Sequence, residues 1–318
     1  MKHVLVTGNL GYIGPVVVRR LREAGHKVTG VDTGWYVHDY AGEPVWPHKQ
    51  YFADIRKLSS GWLAGVDAVV HLAGLSNDPI GDLDPSLTTD INYIGTVGML
   101  LPGARNVIVS SCSVYGANKQ IANEDTPVNP LTHYARAKAD VDNWVHAFGE
   151  TVGIKNWASL RLGTVWGYSP GHRLDLVVNK MTYDGLHLGR IDATGNAARP
   201  ITHVEDVADA ITTFVENDRQ GIYNIVGENV RMYDLADRIA SAIESITVKP
   251  AVVKHPTGAD ARDYMASGAK ALARANWLPQ HRLADSLPDL ISHTLGLPVG
   301  RLYERLPIAR KHLENVAA

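Results

Sequence analysis

An apolar run at residues 3–6 ends in a glycine-rich turn, and a helical pattern follows; this combination constrains the fold more than any other feature. The turn carries Gly8, Gly11 and Gly14, each three residues from the next. Glycines at this spacing let the backbone turn sharply and approach a pyrophosphate, whose charge is met by amides at the helix N-terminus. The strand–turn–helix context therefore predicts a dinucleotide site.

Further strands and helices alternate along the first half of the chain. Apolar runs predict strands, and segments with helical spacing predict helices between them. Continuous apolar strands that alternate with helices are typical of a parallel sheet covered on both faces. The fold class expected is α/β, a Rossmann-type doubly wound parallel sheet with a smaller mixed α/β lobe at its C-terminal side. The predicted strands are 28–32, 66–72, 106–110 and 158–162, and the predicted helices are 86–100 and 133–150.

An acidic residue, Asp32, ends the second predicted strand, 24 residues after Gly8. From this position a carboxylate accepts hydrogen bonds from the adenosine ribose hydroxyls of a dinucleotide. The same carboxylate would repel a 2′-phosphate, and residues 33–36 contain no Arg or Lys to receive one. The sequence therefore favours NAD over NADP.

The regular alternation ends near residue 165, where the loop 167–172 begins. A strand at 221–226 and helices at 174–186, 233–245 and 268–276 are predicted beyond it. We expect an NAD-binding domain over 1–165, with a returning segment near 200–226. The substrate lobe is then expected to comprise 166–199 and 227–318.

Composition narrows the classes of partner. The chain has 31 Lys and Arg against 33 Asp and Glu, a formal net charge of −2, which does not suggest binding to nucleic acid or a membrane. A single cysteine, Cys112, cannot form an intramolecular disulfide, and neither the cysteine count nor the histidine spacing indicates a metal site. The first apolar run is too short for a signal peptide. These features predict a cytoplasmic protein.

A tyrosine and a lysine, Tyr134 and Lys138, lie four residues apart within a helical pattern and therefore face the same way. A nearby ammonium favours the phenolate form of a tyrosine, which can then take a proton from an alcohol. Ser111 and Ser113 follow the strand 106–110, at the edge where parallel sheets bind ligands. Because side chains alternate, Cys112 is then expected to be a buried packing residue rather than a catalytic thiol.

With these motifs in order, the chain resembles an extended short-chain dehydrogenase/reductase of the NAD-dependent epimerase/dehydratase family acting on nucleotide-linked sugars. The matching motifs extend over nearly the whole chain. They are Thr7-Gly8-x-x-Gly11-x-x-Gly14, Asp32, Asp54-Ile55-Arg56, His71-Leu72-Ala73-Gly74, Asn92-x-x-Gly95-Thr96, Ser110-Ser111-Cys112-Ser113-Val114-Tyr115-Gly116, Tyr134-x-x-x-Lys138 and Leu160-Arg161-Leu162-Gly163-Thr164-Val165-Trp166-Gly167.

The resemblance implies a set of roles. Tyr134 is expected to be the general base, Lys138 to hold the nicotinamide ribose, and Ser111 to contact the sugar oxygen. NAD is expected as the cofactor and a nucleotide-diphosphate sugar as the substrate. The cofactor-binding residues expected are Gly8, Gly11, Tyr12, Ile13, Gly14, Asp32, Asp54, Ile55, Leu72, Ala73, Gly74 and Lys138, and the substrate-binding residues are Ser76, Asn77, Ser113, His172, Asn179, Arg199 and Arg262.

Two departures from the family bear on the reaction. Similar 4,6-dehydratases carry an Asp-Glu pair directly after the catalytic Ser or Thr, where this chain has Cys112 and Ser113. The position at which 3,5-epimerases carry a catalytic cysteine is also Ser113. C4 epimerisation, which needs only the tyrosine, the lysine, the serine and NAD, is therefore favoured. A 4-keto-sugar reductase, another nucleotide-sugar dehydrogenase or dehydratase, and a non-catalytic NAD sensor are the alternatives.

Three positions leave their interpretation open. His172 is either a surface residue or a substrate contact, and Arg199 and Arg262 are either structural charges or phosphate ligands. The tail 297–318, which contains Arg301, Arg305 and Arg310 among its cations, is expected to be a solvated terminal helix. The resemblance also implies a homodimer in which helices 86–100 and 133–150 pair across a two-fold axis.

Overall fold

The structure is a computed structural model, and it describes residues 1–57, 59–193, 195–256, 262–298 and 305–316. The strands in these ranges are β1 (His3–Thr7), β2 (Lys27–Asp32), β3 (Lys49–Phe52), β4 (Ala68–His71), β5 (Arg105–Ser111), β6 (Ile121–Ala122), β7 (Trp157–Leu162), β8 (Thr164–Trp166), β9 (Arg190–Asp192), β10 (Ala198–His203), β11 (Gly221–Ile225), β12 (Glu228–Arg231), β13 (Val252–Lys254) and β14 (Met265–Ala266).

Helices connect these strands and cover the sheet. They are α1 (Gly14–Glu23), α2 (Ser60–Leu63), α3 (Asp78–Gly81), α4 (Pro85–Thr89), α5 (Thr96–Gly98), α6 (His133–Phe148), α7 (Val177–His187), α8 (Val204–Glu216), α9 (Met232–Thr247), α10 (Ala269–Ala275), α11 (Leu283–Leu295) and α12 (Arg305–Val316). A π-helical segment, Asp90–Gly95, joins α4 to α5. Across the described ranges, no helix combines the length and the apolarity that crossing a bilayer requires.

Among the described residues, seven parallel strands form the central sheet in the order β11-β7-β5-β4-β1-β2-β3. Every residue of β4 and β7 is buried, as expected for strands with helices on both faces. This confirms the predicted Rossmann-type class. The strand order reverses between β1 and β4, and ligands bind α/β sheets at the carboxyl ends of the strands beside such a reversal.

The smaller lobe contains a three-stranded sheet in the order β12-β10-β8 and packs α7, α9 and α11 around its own apolar core. Val178 on α7, Ile239 on α9 and Leu287 on α11 belong to this core. Burial of these side chains holds the elements of the lobe together. β8 begins two residues after β7 ends, so the chain passes directly from one sheet to the other.

Most predicted elements of the first half are confirmed within a few residues. The predicted helix 86–100 is in fact a helical run from Pro85 to Gly98 that includes the π-helical segment. Several elements were not predicted, among them β3, α8, α11 and most of the short strands of the smaller lobe. α8 packs against α1, and its apolar face is formed by residues such as Val207, Ile211 and Phe214, all fully buried.

Candidate active site

A cavity of about 730 Å³ lies at the carboxyl edge of the large sheet and extends to the smaller lobe. Residues predicted to bind the cofactor and residues predicted to bind the substrate both line it. Among the described residues, the predicted ones that line it are Gly8, Gly11, Tyr12, Ile13, Gly14, Asp32, Asp54, Ile55, Leu72, Ala73, Gly74, Ser76, Asn77, Ser111, Ser113, Tyr134, Lys138, Arg199 and Arg262. The fold thus brings together side chains that are up to 254 positions apart in the sequence.

The glycine turn forms one wall of this cavity. Gly8 has a φ of +71°, and a Cβ on it would lie 2.6 Å from the backbone nitrogen of Ala73. A Cβ on Gly14 would lie 2.4 Å from the carbonyl carbon of Asn9. Ile13 occupies the N-cap of α1 and provides no side-chain hydrogen bond to the helix amides. The turn therefore presents backbone amides to the cavity, an arrangement suited to a dinucleotide diphosphate.

Asp32 borders the cavity beside the glycine turn, at the end of β2. Its Oδ2 accepts a hydrogen bond from the Leu10 amide at 3.0 Å, and its Oδ1 accepts one from the Gly34 amide at 2.8 Å. A carboxylate can accept about four hydrogen bonds, so each oxygen retains capacity for a hydroxyl donor. Burial raises the pKa of Asp32, although the two amides oppose this effect. The residue fits a ribose diol.

We expect this carboxylate to determine which dinucleotide binds. Wild-type protein should bind NAD at least about 100-fold more tightly than NADP, since a 2′-phosphate would meet a buried negative charge. Asp32→Ser should reduce that ratio to below about 10, because the hydroxyl can still accept an amide bond but carries no charge. Titration of both dinucleotides into both proteins gives the ratios. Equal binding of NAD and NADP by the wild-type protein would contradict this assignment.

Tyr134 and Lys138 lie on one face of α6, and both border the cavity. The Lys138 ammonium is 5.9 Å from the centroid of the Tyr134 ring, and it donates a hydrogen bond to the Val109 carbonyl at 2.7 Å. Burial, reinforced by the charge of Asp78, raises the pKa of Tyr134 to about 12. Burial also lowers the pKa of Lys138 to about 8. Both groups are thus shifted towards their neutral forms.

Two serines at the end of β5 face the same cavity. The hydroxyls of Ser111 and Ser113 are 2.9 Å apart, and the Ser113 amide donates to Ser111 Oγ at 3.1 Å. Cys112, between them, is fully buried, and its Sγ lies 3.2 Å from the Arg161 carbonyl. Burial raises the pKa of that thiol. The predicted alternation is confirmed, with Cys112 as a packing residue.

A buried polar network holds α6 against the sheet, one helical turn beyond Lys138. Asp142 is fully buried and accepts hydrogen bonds from Ser110, Ser159 and Arg161. The Arg161 Nε lies 2.8 Å from Asp142 Oδ2, and its Nη1 donates to the Tyr115 hydroxyl at 3.0 Å. Satisfied buried networks of this kind restrict side chains to one arrangement. This network therefore fixes the register of Tyr134 and Lys138 relative to Ser111.

Arg173 is a buried cation in the cavity wall that the sequence did not reveal as a site residue. It forms a two-pronged ion pair with Asp175, with both N···O distances 2.8 Å, and its Nη1 donates to Ser76 Oγ at 3.0 Å. Asn77 Nδ2 donates to the same carboxylate at 2.8 Å. Asn77 also has a φ of +109°, which is strained for a residue other than glycine. The signal available in the sequence was the spacing of Arg173 and Asp175, two residues apart in the segment that follows β8.

Three further polar side chains, Asp78, Arg199 and Arg262, line the cavity. Asp78 accepts a hydrogen bond from Thr132 at 2.6 Å and forms an ion pair with Arg262. Arg199 is 8% exposed, and its guanidinium lies 5.3 Å from the centroid of the Tyr264 ring. Arg199 and Arg262 thus border the same cavity from the smaller lobe, where two cations suit an anionic ligand.

Two predicted substrate contacts are not in the cavity wall. Asn179 is fully buried; its Oδ1 accepts from the Gly167 amide at 3.0 Å, and its Nδ2 donates to the Tyr12 hydroxyl and the Arg173 carbonyl. His172 packs its ring against Tyr12 and Tyr168, and burial lowers its pKa to about 4. Packing and internal hydrogen bonds hold these two residues behind the wall, so their contact with a substrate stays a prediction that this geometry does not favour.

The tail also differs from expectation. It is helical over Arg305–Val316, as predicted, but it is not simply solvated, because Arg305 is 5% exposed and Ala309 is fully buried. Arg305 lines the cavity. Arg310 and Lys311 are exposed, and such residues made the tail look like a solvated helix. Arg301 lies outside the described residues.

A doubly wound sheet with a glycine turn, an acid at the end of β2 and a Tyr-Lys pair beside the same cavity defines a dinucleotide-dependent short-chain dehydrogenase/reductase. Residues 4–226 match the model of the NAD dependent epimerase/dehydratase family. The chain belongs to that family and is an NAD-dependent enzyme.

Individual relatives are distant. The chain is 27% identical over 229 residues to a probable UDP-glucuronate 4-epimerase of Rhizobium meliloti (strain 1021), a match that covers 65% of this chain and 66% of that protein. It is 27% identical over 322 residues to UDP-glucose 4-epimerase of Lactobacillus helveticus, over 89% of this chain and 94% of the relative. The structure of MoeE5 in complex with UDP-glucose and NAD superposes with a TM-score of 0.79 at 25% identity, covering 92% and 98% of the two chains.

Proposed function

We propose that this enzyme inverts C4 of a nucleotide-diphosphate hexose, with Tyr134 as the general base. The observation that carries the proposal is the convergence of Tyr134, Lys138 and Ser111 on one cavity that also contains the glycine turn. Bound NAD would accept a hydride from C4 and return it to the opposite face of the resulting ketone. Gly8, Gly11, Gly14 and Asp32 would hold the diphosphate and the adenosine ribose of that cofactor.

Tyr134 takes the proton of the C4 hydroxyl and later gives it back. A phenol whose pKa is about 12 is almost fully protonated at neutral pH, so little phenolate is available as a base. The reaction therefore requires a cation near the phenol. The Lys138 ammonium, 5.9 Å from the ring, favours the phenolate. Ser111 is placed to donate a hydrogen bond to the C4 oxygen while charge develops on it.

The residues that follow Ser111 favour epimerisation over dehydration. Loss of water from the sugar requires an acid for the leaving hydroxyl and a base for the C5 proton. Cys112 is buried with its Sγ against the Arg161 carbonyl, and Ser113 is a neutral hydroxyl. Neither side chain can perform that pair of proton transfers near neutral pH. The names of the two curated relatives described above support the same reaction.

The substrate proposed is a UDP-hexose or UDP-hexuronate. Arg199 and Arg262 line the cavity and are suited to the two phosphates, since a guanidinium can contact phosphate oxygens in pairs. The choice of uridine rests on the names of the relatives described above. The part of the wall that contains Ser76 and Asn77 would face the hexose. Arg173 holds Ser76, and Asp175 holds Asn77.

The proposal is tested by incubating the protein with UDP-glucose, UDP-galactose, UDP-glucuronate and the corresponding GDP-, dTDP- and CDP-sugars. Product analysis by NMR should show the C4 epimer of at least one of them. The absorbance at 340 nm should not rise, because NADH does not accumulate. Stoichiometric NADH formation would indicate a dehydrogenase instead, and loss of water would indicate a dehydratase. Turnover only with added reduced cofactor and a 4-keto sugar would indicate a reductase.

We also propose a homodimer that pairs α6 with the helical run Pro85–Gly98 of a second copy. Apolar side chains are exposed on these segments: Ile94 is 58% exposed and Phe148 is 54% exposed. Exposed apolar residues grouped on helices are typical of association surfaces. Sedimentation should show a species of twice 34.6 kDa; a monomer at micromolar concentration would contradict the pairing.

We propose the cytoplasm as the place of action. The support is the composition: the chain has a single cysteine, Cys112, which is buried, so the fold does not depend on an intrachain disulfide.

A further inference from the structure

The first residue of α12, Arg305, lies in the wall of the cofactor cleft. Its Nη1 is 3.6 Å from the position that a Cβ on Gly11 would occupy, so the guanidinium faces the glycine turn directly. Its Nη2 donates to the Gly171 carbonyl at 3.2 Å, and its Cζ lies 4.1 Å from the centroid of the Tyr36 ring. A cation from the end of the chain is thus placed where the turn would receive a diphosphate.

The charge of this guanidinium has no direct ion-pair partner among the described residues, although Asp32 and Asp175 lie near enough to attract it. Among the described residues, no carboxylate lies within 4 Å of it, and its polar contact is the neutral Gly171 carbonyl. A second buried cation, Arg173, lies near enough to repel it, although Arg173 has Asp175 as a partner. Burial, with that repulsion, lowers the pKa of Arg305 to about 10. A buried charge without a direct partner is costly, and an anion in contact with it would relieve part of that cost.

The rest of α12 is held across the cleft by apolar and aromatic contacts. Ala309 is fully buried in the cluster that includes Ile55, Ile80 and Ile91. The ring of His312 stacks on Trp35, with the centroids 4.9 Å apart and the planes 5° from parallel. Trp35 follows Asp32 by three residues, so the helix passes over the adenosine side of the predicted cofactor site.

The helix covers this side of the cleft without filling it. Asp32, Asp54 and Ile55, the residues expected to meet the adenosine, still border the cavity with α12 in place. Of the described residues of α12, Arg305 alone borders the cavity with them. The space for a ligand and the helix are therefore compatible.

We propose that α12 is part of the cofactor site, and that Arg305 binds the diphosphate of NAD beside the glycine turn. This makes α12 a strap, a segment that docks more firmly when the dinucleotide is present. The inference depends on the NAD dependence of the family and is independent of which sugar is epimerised. A failure of the C4 assay would leave it intact.

Binding of nucleotides to Arg305→Gln tests this proposal, with Arg310→Gln as the matched control on an exposed position of the same helix. Protein freed of bound nucleotide is titrated with NAD, ADP and adenosine by calorimetry. We expect Arg305→Gln to weaken the binding of NAD and ADP by about 10- to 100-fold and the binding of adenosine by less than about 2-fold. Only NAD and ADP carry the diphosphate. Arg310→Gln should match the wild type.

Hydrogen exchange of the wild-type protein gives a second readout. Saturating NAD should slow exchange of the α12 amides if the helix is a strap. The proposal is overturned if Arg305→Gln binds NAD as tightly as wild type or more tightly, or if NAD speeds exchange in α12; these results would mean that the helix competes with the cofactor. Equal weakening of adenosine and ADP would also overturn it, because that pattern indicates a general loss of the site.

Discussion

Replacing Tyr134 with phenylalanine should lower kcat about 10³-fold and leave the fold and NAD binding unchanged. The phenolic oxygen is the group proposed to move the C4 proton, and general acid–base catalysis contributes roughly 10²–10⁴-fold. The ring itself packs against Gly81, where a Cβ would lie 3.0 Å from the Tyr134 Cβ, and phenylalanine keeps that packing. Initial rates with saturating UDP-sugar measure the change.

The control for this variant is Tyr233→Phe, because the Tyr233 hydroxyl donates to the Pro256 carbonyl away from the cavity. That variant should retain wild-type kcat. If Tyr134→Phe keeps more than about a tenth of the wild-type kcat, another group performs the proton transfer. A full loss of NAD binding by Tyr134→Phe would instead indicate damage to the site.

Lys138→Met should separate stability from activity. We expect kcat to fall about 10²-fold, since the ammonium that favours the Tyr134 phenolate is lost. The free energy of unfolding at pH 7 should nevertheless rise by about 1–2 kcal/mol, because a buried charge is removed and methionine has a similar shape. The gain is smaller than the full effect of the pKa shift, since the Val109 carbonyl loses its donor.

The pH dependence of this stability difference has a definite sign. The folded-state pKa of Lys138 is about 8, below its ordinary value of 10.5, so the folded protein holds its ammonium less readily than the unfolded chain does. The stability of the wild-type protein should therefore increase relative to that of Lys138→Met as pH rises from about 8 towards 10.5, because the unfolded chain still binds the lysine proton over this range and the folded protein does not. Denaturant unfolding at pH 7, 9 and 10.5 measures the difference, and Lys27→Met, at an exposed position, should show none of it. A difference that is constant across this range would contradict the burial argument.

The NAD-binding half was largely predictable because its signals are local. The glycine turn, Asp32 and the buried strands each occupy a few consecutive residues, and period and spacing identify them. β3 was missed because none of its four residues is buried, so the strand has no alternation of buried and exposed positions. α8 and α11 were missed although they are strongly amphipathic. The segments around them carry glycine and proline, residues that are typical of loops.

The site was predictable where residues follow strand ends and unpredictable where it depends on packing from a distance. Tyr134, Lys138 and Ser111 follow from spacing and from the edge of a parallel sheet. Asn179 has the chemistry of a ligand, and only the structure shows that the Gly167 amide and Tyr12 already occupy it. Arg305 had no local signal, since its burial depends on where the end of the chain docks.

Retention of the C4 hydrogen tests the central claim most directly. A UDP-hexose carrying deuterium at C4 is converted by the enzyme in ordinary water, and the product is examined by NMR and mass spectrometry. The account predicts that the C4 epimer keeps deuterium at C4 and that no NADH accumulates, because the same hydride leaves and returns within one site. Replacement of the deuterium by solvent hydrogen at C4, or its appearance in released NADH, would contradict C4 epimerisation by this enzyme.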